Sequence, residues 1–84
     1  MNALDNLINK FLQDLQARPD ILARDKITAE CQLRALQQMF NSETMDISVI
    51  RQAKRFFYQQ DGWLRTEGLN LLDNPMVFEK LLTD

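Results

Sequence analysis

Arg51, Lys54, Arg55 and Tyr58 stand at i, i+3, i+4 and i+7, the spacing that lines side chains along one side of a helix. Three cations around a flat phenol ring suit the gripping of phosphates or of an acidic protein surface. The plainer alternative is a hydrated helix face whose charge is partly offset by Glu43 and Asp46 upstream. Phe56, Phe57, Tyr58 and Trp63 crowd the same stretch, and aromatic residues serve both cores and interface anchors. Phe57 is expected in the core. Phe56, turned ~100° from it around a helix, falls at the core edge where a partner could cover it. Trp63, beside the bend that Gly62 implies, is the better candidate for an exposed anchor, although the high mean burial of Trp favours a place in the core. Near the end of the chain, Phe78, Leu81 and Leu82 at i, i+3 and i+4 make a short amphipathic segment. It either docks in a partner's groove or folds back over the bundle.

Reactive chemistry is scarce by comparison. The chain has no His, one Cys and two Gly, so the ingredients of a nucleophilic triad, a zinc site or a phosphate-cradling loop are missing. Cys31 has no second thiol or imidazole to activate it and reads as inert. The carboxylates are scattered, without the spacing of a calcium loop. The expectation is a protein that is no enzyme and uses no cofactor or metal, and that acts by binding.

These residues need elements to hold them, and 84 residues leave room for one domain spanning the whole chain, 1–84. Apolar residues make up 45% and charged residues 26%, the balance of a folded globule rather than of a disordered chain. A net charge of −2 and a pI near 5.0 argue against nucleic acid or an anionic membrane as the partner. A single cysteine cannot form an internal disulfide, and Asp5, Lys10 and Asp14 interrupt any signal-peptide core. No run of ~18 uncharged apolar residues could span a membrane. A soluble cytoplasmic protein is therefore expected.

Leu and Gln are plentiful and alternating β-branched runs are absent, so the class is all-α, a small bundle of four to five short amphipathic helices. Over residues 3–17, Leu4, Leu7, Ile8, Phe11, Leu12 and Leu15 fill a sector of about 140°, with every charged side chain outside it. Pro19 ends this helix and Asp20 is the expected cap of the next. Over 21–40, Leu22, Ala29, Leu33, Leu36, Met39 and Phe40 share a face that Asp25 and Gln32 interrupt. The preferred reading is one continuous helix, the other a broken turn near Asp25 with the helix starting around Ile27. A third helix, 46–60, is capped by Asp46 or Ser42. It turns Val49, Ile50, Ala53, Phe56 and Phe57 inward, and Asp61-Gly62 is its stop. Residues 63–72 form either a kinked extension or a separate short helix, and Asn74-Pro75 opens a terminal one.

The function expected from this pattern is that of a small intracellular adaptor or regulator that inhibits, tethers or chaperones another protein through apolar helix faces. Trp63, Phe56 and Phe78 would supply anchor area, while Arg51, Lys54 and Arg55, with Tyr58 among them, select an acidic rim. Short bundles often complete their cores by dimerising, so a homodimer is a further expectation. The alternative is a helix-turn-helix-like DNA-binding regulator with helix 46–60 in the major groove. Against it, the six-residue connection 41–46 exceeds that motif's usual 3–4 residues and carries Glu43 and Asp46 where DNA would repel them.

Overall fold

Apolar residues at helical spacing build four helices among the described residues: α1 (Ala3–Gln16), α2 (Ala23–Asn41), α3 (Ile47–Tyr58) and α4 (Gly62–Leu72). They are seen in a computed structural model, which describes residues 3–42, 44 and 46–75. No strand occurs among the described residues. The all-α expectation holds, with four helices in place; the terminal segment 76–84 lies outside the described residues.

Pro19 ends α1 as expected, and the last turn tightens through the Arg18 amide donating to the Leu15 carbonyl at 3.1 Å. The start of α2 differs from the sequence reading. Asp20 does not cap it; its carboxylate instead accepts from the Arg18 guanidinium at 3.2 Å. The N-cap is Leu22, in extended conformation and without a side-chain cap bond. Leu22 therefore escapes the helical projection that placed it on the buried face, and is 57% exposed. From Ala23 onward α2 is continuous, with Asp25 half-buried in its first turn.

Asp46 caps α3, its carboxylate accepting from the Ser48 amide at 2.9 Å and the Ser48 hydroxyl at 2.7 Å. These bonds to the charged form hold the Asp46 carboxyl below its ordinary range. The helix closes at Tyr58 rather than at residue 60, with Gln59 as its C-cap. Gly62, at φ +58°, then opens α4, so 63–72 belongs to a separate helix and not to an extension of α3.

One core cluster draws on all four helices, with Ile8, Leu15, Leu33, Leu36 and Phe57 at its centre. A Cβ on Gly68 would clash with the Phe57 ring, so glycine is what lets α4 approach α3 this closely. A column of rings ties the remaining helix to this pair. Trp63 stacks on Phe11 with centroids 5.3 Å apart, and Phe11 meets Phe57 edge-on at 5.9 Å. Phe56 meets Phe57 edge-on in turn at 5.2 Å. The Arg18 guanidinium lies over the Trp63 ring, 4.8 Å from its centroid.

The charge-free inner face expected of α1 has one exception. Asp5 is buried, accepting hydrogen bonds from Gln37 at 2.7 Å and Asn41 at 3.3 Å. Arg34 extends this polar clamp between α1 and α2 by donating to Asn9 and Gln37. Among the described residues, no helix is long and apolar enough to cross a membrane.

Candidate functional site

α3 buries Ile50, Ala53 and Phe57, which fixes the direction of everything else on it. At ~100° per residue, Ile47, Arg51, Lys54, Arg55 and Tyr58 share a flank of the helix, a sector of about 100° centred roughly 110° from that buried direction. All five are exposed, Ile47 by 55% and Tyr58 by 64%. The three-residue connection 59–61 then lays α4 alongside, and the Arg65 guanidinium settles 4.7 Å from the Tyr58 ring centroid. The result is an open face carrying four cations, with Arg65 over the Tyr58 ring.

The electrostatic state of these cations is unlike that of the others in the chain. Lys10 pairs with Asp14 at 3.6 Å, Arg18 with Asp20 at 3.2 Å and Arg24 with Asp25 at 3.8 Å. Lys26 donates to the Gln16 carbonyl, and Arg34 to Asn9 and Gln37. On the α3–α4 face only Lys54 has a carboxylate, Asp73 at 3.5 Å. Among the described residues, no carboxylate lies within ion-pair distance of Arg51, Arg55 or Arg65. The offset expected from Asp46 is not made, because that carboxylate is turned to Ser48; Glu43 lies outside the described residues.

The expected aromatic anchors take different positions. Phe56 and Trp63 are both half-buried, joined to the ring column and packed against the core. Phe78 lies outside the described residues. Three residues of the face were not singled out from the sequence. Ile47 had a readable signal, since it stands four positions before Arg51 on the same helix side. Arg65 and Asp73 had none, because only the packing of α4 on α3 brings them there.

Elsewhere the surface offers little chemistry. An open groove of about 670 Å³ between α1 and α2 is lined by the amides of Asn6, Asn9, Gln13 and Gln16 together with Lys10, Glu30 and Arg34. No group of three or more metal-ligating side chains occurs among the described residues, and Cys31 is exposed on the outer side of α2. Comparison with known proteins adds no name to this geometry: no family model, curated protein or solved structure matches the chain.

Proposed function

We propose that this chain is a small intracellular protein-binding adaptor or regulator, and that the outer face of α3, extended by Arg65, is where it takes hold of an acidic protein. One observation carries the reading: Arg51, Arg55 and Arg65 have no ion pair among the described residues, while each cation of α1, α2 and the turn between them is engaged within the chain. Exposed charge of one sign steers encounter and selects partners of the other sign.

Affinity capture from an extract of the source cells, with the wild type beside the variant Arg51→Glu/Arg55→Glu/Arg65→Glu, tests the reading. Recovery of a stoichiometric acidic protein by the wild type and not by the variant supports it; equal recovery by both defeats it. The DNA-binding alternative draws on the same cations, but Asp73 sits among them and the chain is acidic overall. If that alternative held, duplex binding at low salt would weaken with a log–log salt slope of about −3 for three phosphate contacts. Light scattering at rising concentration tests the homodimer.

A further inference from the structure

We infer that the occupant of the α3 face is one helix of the partner, acidic and amphipathic, lying alongside α3 with apolar residues eleven positions apart and carboxylates between them. The inference rests on the proposed function above and specifies its partner. Ile47, Arg51, Lys54 and Tyr58 follow one another at intervals of four, three and four residues. That is the alternation of a coiled-coil seam, and it holds the four side chains within a strip of roughly 60°. The strip is apolar at both ends and cationic in the middle. Its ends are large and open to solvent, Ile47 at 55% and Tyr58 at 64% exposed, about 16 Å apart along the axis at ~1.5 Å per residue.

The spacing discriminates between occupants. A helix laid beside α3 presents its own residues at the same rises of about 6, 4.5 and 6 Å, so each strip residue meets a counterpart. An extended strand repeats on one face every ~6.7 Å and falls out of step within three contacts. A second copy of this chain is disfavoured, because α3 contains three cations and no acid, and pairing the face with itself would set like charges together. A phosphate backbone would engage the arginines but leave Ile47 without an apolar counterpart. Arg55 and Arg65 flank the seam, placed to meet acidic residues beside the partner's own stripe. The Lys54–Asp73 pair is exposed on both sides, so Lys54 can exchange Asp73 for a partner carboxylate at little cost.

The test uses a fluorescent helical peptide of roughly five turns, with Leu at two positions eleven apart and Glu four and seven positions after the first Leu. A second peptide has the same composition with Leu and Glu exchanged in order. Anisotropy with the full chain should show the in-register peptide binding about tenfold more tightly or better. Ile47→Ser should erase that advantage while leaving the circular dichroism unchanged. Arg51→Glu should weaken binding, and replacing the facing Glu of the peptide by Lys should restore it. Equal binding of the two peptides would overturn the seam and leave the acidic-partner reading standing. Binding of neither peptide, with or without association of duplex DNA, would overturn both.

Discussion

The α1–α2 side and the α3–α4 side of this bundle use charge in opposite ways. On the first, a carboxylate is buried at Asp5 and answered by two amides from α2, and every cation finds an acceptor within the chain. On the second, the core face is purely apolar, and the cations stand outside it with one carboxylate among four of them. Polar groups of the first side act in holding two helices together; those of the second contribute little to the fold and are available to something else. The difference teaches that net charge is a poor guide to a chain this small. An overall charge of −2 conceals one helix with three cations and no acid.

The comparison can be broken most severely through the residue that supports the open face from beneath. Phe57→Ala should cost about 3–5 kcal/mol in chemical denaturation, since the ring is fully buried between Phe11, Phe56 and Gly68. Asp5→Ala should cost about 1–2 kcal/mol in the same assay, by removing the acceptor of Gln37 and Asn41. A change near zero would show that the α1–α2 clamp is ornamental. Arg51→Glu/Arg55→Glu should shift stability by less than about 1 kcal/mol while abolishing capture of an acidic partner, the sharpest contrast between the two sides. The smallest effect concerns acid. The folded Asp46 carboxyl lies below its ordinary 3.8, so the stability it lends is complete above that value and is lost as pH falls through the lower folded one. Melting curves of the wild type and Asp46→Ala, taken from about pH 5 down to pH 2, should therefore converge at the acid end.

Much of this architecture is legible in the residues. The apolar faces of α1 and α3 and the cap at Asp46 follow from helical periodicity and local capping chemistry, whereas the residues leave open whether 63–72 continues α3 or stands apart. What is not legible depends on partners distant in sequence or on one backbone angle. Asp5 projects only about 20° beyond the apolar stripe of α1, and its burial is decided by Gln37 and Asn41 on another helix. Leu22 has the right phase for the α2 core, but it is extended rather than helical, so the phase does not apply. On the candidate face, Arg51, Lys54, Arg55 and Tyr58 share a side because periodicity alone puts them there. Arg65 joins them only through the turn at 59–61 and the absence of a side chain at Gly68.

The contacts of Trp63 with both Arg18 and Phe11 give the protein a built-in gauge. It is the chain's single tryptophan, so its emission reports from one place only: the junction where the first turn, α1 and α4 meet. A red shift of that emission, set against helical content measured separately, would tell whether the helices part company before they melt.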